Sequence, residues 1–480
     1  MSTKAVIGWL IVAVVLGIGA IFAMRGPNPA GGASGPGVGS LVLNFSPSAV
    51  RSIAINPLNE RADTLTRADN AAGDWLLRLG DATRPTDWPV PGRTVDGLLL
   101  ALSEARSVAA GPKAPDLGEK PTVATLALAD GTSLTLRFAQ RSLGGTGLLE
   151  IQTSAGKTFA IVDDRLHQMV RDRNIRQWRD RTAMPWARGD ASRIRLENKD
   201  RAIAFGRIGS RWSLREPVQA PADGPAVGRL LSTLAEAQIV EFVDDAPSPG
   251  VQTGLDAPNA RILVEIDRPE GTPIRHTLDI GAAADARGER MFALIDGQRT
   301  VKIDARNLGQ TMDAAAYLWP HPTAVAAPDV GMIVIERLDA SRVPEDGRVF
   351  KRSLDRWIEI REGSEVPVVE QELKEMDEAL AFLTGTGGPA GAPRPQGRLA
   401  EPEAYRPGAR VSLRDIGGQP LETVEVGVSG VSALAIVRTG AVYREYPLDR
   451  LPRLIDRVMR SSPLVTPPPR GEQPEAEENK

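Results

Sequence analysis

The 480-residue chain contains no cysteine. Disulfides, thiolate zinc sites, a cysteine nucleophile and a lipidated cysteine are therefore excluded. Aromatic residues make up only 4% of the chain, so extended stacking platforms for bases or sugars are not expected. The 58 basic and 61 acidic residues leave a net charge of −3, without the basic excess that nucleic-acid-binding surfaces need. The composition thus predicts no nucleic-acid partner.

Histidine is also scarce, with only His167, His276 and His321 in the chain. None of them has a second ligand at metal-binding spacing such as i, i+4. The adjacent acidic pairs at 163–164 and 244–245 would point to opposite sides of a strand, so neither is a ready carboxylate dyad. No Gly-x-Ser-x-Gly elbow is present. The sequence therefore nominates no catalytic residue, no metal ligand and no cofactor-binding residue, and we expect no enzyme activity.

One long apolar run stands near the start of the chain, from Ala5 to Met24, twenty residues without a charge. As a helix rising ~1.5 Å per residue it would cover ~30 Å, the thickness of the bilayer hydrocarbon. A cleaved signal peptide has only ~7–15 apolar residues and ends in a small-x-small site. Ala23 has Ile21 two positions before it, which is a poor cleavage pair. Residues 1–24 are thus predicted to hold an uncleaved transmembrane anchor, with residues 5–24 in the membrane.

The charges beside this run indicate its orientation. The terminal amine and Lys4 lie on one side, and Arg25 is the only close charge on the other. This balance favours a cytoplasmic N-terminus, because positive charge is retained on the cytoplasmic side. We expect a single-pass membrane protein with most of its chain outside the cytoplasm. The reverse orientation would give a cytoplasm-facing scaffold and remains an alternative.

Two segments have compositions that cannot build a core. Residues 25–40 are rich in Gly, Pro, Ala and Ser, which predicts a flexible linker. Residues 463–480 are Pro-rich and acidic, which predicts a disordered tail.

Between them, a tryptophan-led pattern occurs three times, at Trp75, Trp212 and Trp357, with spacings of 137 and 145 residues. Each Trp lies in a short β-type segment that precedes an amphipathic helix, and paired strands with a Gly-containing turn follow. Three copies in one order indicate duplication. The prediction is an α+β protein in which three modules of antiparallel sheet plus amphipathic helix follow the transmembrane helix. Their predicted bounds are 41–190, 191–327 and 328–462, the last with an insertion at 385–397.

The stretch from Arg211 to Ile266 combines a Trp-x-Leu-x-x-Pro start, a Pro-Ala-Asp helix entry, a Leu-Leu helix and a Gly-Leu-Asp-x-Pro strand entry. This combination resembles the bacterial family named domain of unknown function 4340. The resemblance implies a single-anchor envelope protein of the bacterial inner (cytoplasmic) membrane, with most of its chain in the periplasm. Some such proteins resemble auxiliary components of ABC-type export or gliding-motility systems. It assigns no site residue.

Together these observations favour a non-enzymatic, single-pass envelope protein whose modules form a binding or scaffold arm. Its expected partner is a membrane protein complex, and an ABC-type permease is implied by the resemblance alone. A glycan-directed envelope hydrolase, with two carboxylates converging between modules, is the alternative from another functional class.

Overall fold

A computed structural model describes residues 36–465, except for residues 57–60, 69–73, 83–85, 112–114, 173–174, 188, 244–251, 340, 355, 387–396, 431–433 and 463–464. The predicted anchor at 5–24 lies outside the described residues, as do most of the predicted linker and tail. Within the part of the chain that is described, no helix has the length and apolar character needed to cross a bilayer.

Three antiparallel sheets with few helices make up the described chain, which confirms a mostly β member of the α+β class built from three sheet modules. Sheet 1 contains β1 (Val50–Asn56), β2 (Asp63–Arg67), β3 (Trp75–Arg78), β4 (Asp87–Val90), β5 (Thr122–Leu128), β6 (Ser133–Leu143), β7 (Thr146–Thr153) and β8 (Gly156–Asp163). Their order across the sheet is β4-β3-β2-β1-β5-β6-β7-β8.

Sheets 2 and 3 repeat this order and add one short strand at an edge. Sheet 2 contains β9 (Ala191–Asn198), β10 (Ala202–Ile208), β11 (Arg211–Glu216), β12 (Ala220–Pro221), β13 (Ile239–Phe242), β14 (Ala260–Ile266), β15 (Ile274–Ala283), β16 (Arg290–Ile295) and β17 (Arg299–Asp304). Its order is β12-β11-β10-β9-β14-β15-β16-β17-β13.

Sheet 3 contains β18 (Met332–Leu338), β19 (Pro344–Ser353), β20 (Arg356–Arg361), β21 (Ser364–Pro367), β22 (Gly397–Arg398), β23 (Tyr405–Arg414), β24 (Pro420–Ser429), β25 (Leu434–Thr439) and β26 (Val442–Pro447). Its order is β21-β20-β19-β18-β23-β24-β25-β26-β22. The α-helices are α1 (Gly92–Ser103), α2 (Asp164–His167), α3 (Gly224–Ala235), α4 (Glu370–Thr384) and α5 (Arg453–Arg460).

One long helix joins the two edges of each sheet. In sheet 2, α3 follows edge strand β12, and the chain then enters β13 at the opposite edge. In sheet 3, α4 links β21 to β22 in the same way. In sheet 1, the chain that follows α1 reaches the opposite edge, where Ala109 forms a β-bridge with Ile161 of β8. The helix must therefore cross one face of its sheet. The buried positions of α3 fall at helical spacing on its apolar side, where they fill the core: Ala226, Val227, Leu230, Leu231, Leu234 and Ala235.

The repeated tryptophans lie on the third strand of each module. Trp75 and Trp357 are buried, and Trp212 is half-buried. Trp357 shares a core cluster with Met376 and Leu380 of α4. In the third module the tryptophan thus packs between sheet and helix.

The described residues form two compact units that divide between Asp180 and Arg181. The first unit holds sheet 1, and the second holds sheets 2 and 3 together. The predicted flexible linker at 25–40 and the predicted insertion at 385–397 are partly structured at their ends. Gly39 donates its amide hydrogen to the Ser107 carbonyl at 2.7 Å, and Gly397 belongs to β22. Backbone hydrogen bonds order these glycines, Gly39 to a loop after α1 and Gly397 to β26, and local composition gives no sign of them.

Candidate functional site

Residues 317–324, here called the seam segment, run between the second and third modules inside the second unit. The first part of the segment is bound to the second module. The Tyr317 carbonyl accepts from the Asp223 amide at 2.8 Å, and the Trp319 amide donates to the Pro221 carbonyl at 3.1 Å. Leu318 forms a β-bridge with Ala222. These bonds hold the segment against edge strand β12 and the start of α3.

The second part of the seam segment is bound to the third module. Thr323 donates from its amide and its Oγ1 to the Leu383 carbonyl, at 3.0 and 2.9 Å. The Ala324 amide donates to Oε2 of Glu422 at 3.0 Å. Thr439 Oγ1 donates to the Pro322 carbonyl at 2.6 Å. One short segment is therefore hydrogen-bonded to the module before it and to the module after it.

The local sequence Trp319-Pro320-His321-Pro322 explains why this segment does not form a helix. Each proline fixes its own φ and disfavours a helical conformation in the residue before it. The prolines also lack an amide hydrogen, so fewer backbone donors need partners in a buried position. Trp319 Nε1 donates to the Thr323 carbonyl at 2.7 Å, which closes the segment into a compact turn.

Arg444 of β26 is the central side chain of the site. It is only 2% exposed, and its Nε and Nη2 donate to the Trp319 carbonyl at 3.1 and 2.9 Å. Nη1 lies 3.5 Å from Thr439 Oγ1. No carboxylate of a described residue lies within 4.0 Å of the guanidinium in an ion pair. Burial lowers the pKa of Arg444, against the opposing influence of Tyr446 and Glu422.

Two further polar side chains share this low-dielectric environment. Burial raises the pKa of Glu422, although the Ala324 amide and the charge of Arg444 act in the opposite direction. Burial likewise raises the pKa of Tyr446, and Arg444 opposes the shift. The Tyr446 hydroxyl is buried and has no hydrogen-bond partner among the described residues. The site is thus a desolvated polar cluster in which Arg444 and Glu422 contact the seam segment.

The C-terminal end of α4 completes the site. Gly385 follows the helix with a φ of +76°, a left-handed conformation that glycine adopts without strain. A Cβ at this position would lie 2.3 Å from Cγ of His321, so the imidazole packs directly on the glycine backbone. The Trp319 and His321 rings meet edge to face with centroids 5.6 Å apart. The arrangement is suited to holding the two modules in one fixed geometry.

Residues 212–386 match the family model described as Domain of unknown function (DUF4340). This part of the chain belongs to the DUF4340 family. The DUF4340 match starts in β11 of the second module and ends two residues after α4 of the third, so it contains the whole seam segment. No curated protein matches the chain.

The histidines lie in three separate settings and do not form one site in this DUF4340 protein. His167 is buried in the first unit, where its Nε2 lies 3.0 Å from the Leu148 carbonyl oxygen. His276 stacks on Trp186 with ring centroids 4.2 Å apart, and its Nδ1 lies 3.4 Å from Asp296.

The adjacent acidic residues form no metal site in the described chain. Asp163 caps α2 by accepting from the Arg165 amide, whereas the pair at 244–245 lies outside the described residues. No group of three His, Cys, Asp or Glu residues that could hold a metal occurs in the described part of the chain.

The sequence analysis missed an arginine that accompanies each repeated tryptophan. The arginine lies directly opposite the tryptophan in the neighbouring strand, and its guanidinium carbon lies over the indole ring. The three pairs are Arg67–Trp75 at 4.7 Å, Arg207–Trp212 at 5.6 Å and Arg352–Trp357 at 5.7 Å. Such cation–π contacts stabilise each pair beyond its buried area. An arginine five or eight residues before each Trp is the signal that could have found them.

It also missed a row of charges on the sheet face that points away from each long helix. There an acidic residue lies between basic residues of the two adjacent strands. The sets are Arg137–Glu150–Lys157 (3.8 and 3.1 Å), Arg193–Glu265–Arg275 (2.8 and 2.7 Å) and Arg410–Glu425–Arg438 (3.2 and 3.1 Å). In each strand the acidic residue alternates with core side chains, which is the period-two pattern of a sheet with one polar face.

Proposed function

We propose that this DUF4340 protein is a non-enzymatic, membrane-anchored arm of the bacterial envelope that presents binding surfaces to a membrane protein complex. The observation that carries the proposal is the seam segment, which is hydrogen-bonded to both the second and the third module. Such a junction lets two repeated modules act as one rigid body. Repeat-built proteins use rigid stacking of this kind to present extended surfaces to partners.

The anchor at residues 5–24 is part of this proposal and rests on the apolar run in the sequence. Because Gly37 accepts from Ser40 and Gly39 is hydrogen-bonded to Ser107 in the first unit, residues 25–36 would be the free tether. A flexible chain of that length has a root-mean-square span of about 20 Å. The first unit would then stay close to the membrane surface, within reach of an integral membrane partner.

The proposed partner is an ABC-type permease, and this choice rests on family resemblance alone. The ion-paired outer faces of the three sheets support a binding role, because mixed charge gives register and specificity to an interface. The charged side chains of these rows already form ion pairs with one another, so partner binding there would be weak and sensitive to salt.

Topology fusions provide the decisive experiment. Alkaline phosphatase and a fluorescent protein are fused separately to the C-terminus of the full chain, and the same fusions are made without residues 1–24. Phosphatase activity without fluorescence is expected for the full chain, and loss of phosphatase activity is expected for the truncated chain. Fluorescence without phosphatase activity in the full chain would overturn the periplasmic placement.

Capture of partners from mildly solubilised membranes tests the second half of the proposal. The full chain is expected to retain a specific integral membrane protein, and a variant with unfolded modules is the control. Recovery of no membrane protein by the folded chain, over repeated captures with cross-linking, would contradict a role in a membrane complex.

A further inference from the structure

Two exposed apolar side chains lie at the same end of sheet 3. Leu354 lies in the connection from β19 to β20 and is 93% exposed, and Ile416 lies in the connection from β23 to β24 and is 73% exposed. In the order β20-β19-β18-β23-β24 all neighbours are antiparallel, so these two connections must lie at one end of the sheet. Only β18 separates β19 from β23, which are therefore about 10 Å apart.

Gly331 holds these two connections together. Its carbonyl accepts from the Arg352 amide at 2.8 Å, and its amide donates to the Arg414 carbonyl at 2.9 Å. A Cβ at Gly331 would lie 2.3 Å from Cα of Ile416, so the glycine allows the second turn to pack directly on this backbone. The two apolar tips are consequently presented by one hydrogen-bonded end of the sheet.

The conformation at Leu354 is unfavourable for a leucine. Its φ is +53°, in the left-handed region where Cβ crowds the backbone and where glycine or asparagine is usual. The fold therefore accepts backbone strain at a residue whose side chain is almost fully exposed to water. Strain and apolar exposure at one position indicate a role outside the stability of the fold.

Basic residues surround the tips. The segments 351–356 and 414–419 contain four basic and two acidic residues. Lys351 and Arg356 form no ion pair with any described carboxylate, and Arg356 is exposed, whereas the Arg352 guanidinium stacks on Trp357. The carboxylate of Asp415 accepts from the Gln419 amide within its own turn, at 2.8 Å. Apolar tips with two cations at their base that form no ion pair, Lys351 and Arg356, match the layered chemistry of an anionic bilayer surface.

We propose that this end of sheet 3 docks on an anionic lipid bilayer. Leu354 and Ile416 enter the interface between headgroups and acyl chains, and Lys351 and Arg356 lie over the phosphates. This contact is additional to the predicted anchor at 5–24 and does not depend on it. It would bring the third module, far along the chain from the anchor, to the same membrane surface.

Single-cysteine labelling tests the proposal, because the chain has no native cysteine. Leu354→Cys and Ile416→Cys are prepared in the full chain and labelled with an environment-sensitive fluorophore. Val343→Cys is the matched control, since Val343 is 54% exposed and lies in the β18–β19 connection at the opposite end of the sheet. The proteins are incorporated into phosphatidylcholine vesicles with or without phosphatidylglycerol, and nitroxide-labelled lipid serves as the quencher.

Labels at 354 and 416 are expected to shift to shorter wavelength and to be quenched at least twofold more than the label at 343. This difference should require phosphatidylglycerol and should shrink when Lys351→Gln and Arg356→Gln are combined with Ile416→Cys. Equal quenching at all three positions would overturn the docking proposal. A blue shift that appears without lipid and grows with protein concentration would also overturn it, in favour of self-association.

Folding is checked separately, because a label at Leu354 removes a strained side chain. Each labelled variant should keep the circular dichroism spectrum and the unfolding midpoint of the parent chain. Leu354→Asn provides a second variant that relieves the strain and removes the apolar tip. In this background the label at 416 is expected to lose about half of its lipid quenching, and unchanged quenching would count against joint insertion of the two tips.

Discussion

Arg444 donates two hydrogen bonds to the carbonyl oxygen of Trp319, over 3.1 and 2.9 Å, at the point where the seam segment passes from the second module to the third. Hydrogen bonds from an ionised donor are stronger than neutral ones. Because the guanidinium is buried and forms no ion pair with a described carboxylate, this carbonyl is its principal partner. The contact thus couples a strand of sheet 3 to a backbone that is also bonded to sheet 2.

Arg444→Met is expected to lower the free energy of unfolding by about 1–3 kcal/mol, because the Trp319 carbonyl would remain buried without these donors. Urea denaturation followed by circular dichroism measures the change. Arg215→Met is the control, since Arg215 is exposed and its replacement should change stability by less than about 0.5 kcal/mol. Equal stability of the two variants would contradict the importance of the Arg444 contact.

The same variant should loosen the junction between the second and third modules. Spin labels at Arg229→Cys of α3 and Glu378→Cys of α4, both exposed positions, report the distance between the two helices. A single narrow distance distribution is expected in the otherwise native chain, and a broader one in the Arg444→Met background. A broad distribution in both chains would mean that the seam segment does not make the pair rigid.

The arginine and tryptophan of each Arg–Trp pair are expected to contribute non-additively to the free energy of unfolding, and the effect should occur in more than one module. In a double-mutant cycle with Arg352→Ala and Trp357→Leu, the two changes should be non-additive by about 0.5–1 kcal/mol, the typical strength of a cation–π contact. The same cycle at Arg67 and Trp75 should give coupling of the same sign. Additive free energies of unfolding in both cycles would show that these rings and guanidinium groups stabilise the fold independently.

Much of each module could be predicted from the sequence, because its signals are local. The apolar spacing of Val227, Leu230 and Leu234 predicted α3, and Gly131 and Gly418 lie in turns between paired strands as expected. Short edge strands such as β13 and β22 were not predicted. They are too short for a periodic pattern, and their stability comes from pairing with a remote strand.

The seam was harder to predict because its signals are distributed along the chain. Arg444 lies between Tyr443 and Glu445 in a strand, and its charge alone suggests that it is exposed on the surface. Period two nevertheless places it on the same face as Val442 and Tyr446, which are buried. Its partner is a backbone carbonyl 125 residues away, and no residue type marks such an acceptor in a sequence.

A side chain at Gly385 should destabilise the fold both by backbone strain and by a clash with His321. Gly418, where only the strain applies, allows the two effects to be measured separately. Gly385→Ala adds left-handed strain and a Cβ that would lie 2.3 Å from the His321 ring, whereas Gly418→Ala adds only strain because nothing lies within 4 Å. We expect Gly418→Ala to cost about 1 kcal/mol of unfolding free energy and Gly385→Ala about 2–4 kcal/mol. Equal costs, measured by urea denaturation, would mean that His321 moves aside freely and does not pack firmly on the helix end.

The ionisation of Glu359 is expected to make the free energy of unfolding depend on pH. Arg348 donates from Nε to Glu359 Oε1 at 2.6 Å and also pairs with Glu372 of α4 at 2.5 Å, so it links sheet to helix. The hydrogen bond from Arg348 holds the pKa of Glu359 below its ordinary value; burial acts in the opposite direction, and Arg361 assists Arg348. The unfolded chain therefore binds this proton more readily than the folded chain.

It follows that the contribution of Glu359 is fully present above the unfolded pKa of about 4.3 and is lost as pH falls through the lower pKa of the folded state. Stability measured by urea denaturation should thus decrease from about pH 5 downwards, and Glu359→Gln should flatten this decrease because it removes the titrating group. Glu378→Gln, at an exposed position of α4, is the control and should leave the slope unchanged. If Glu359→Gln retains the full acid slope, other carboxylates dominate the acid sensitivity, and the Arg348 link contributes little between pH 5 and the folded-state pKa.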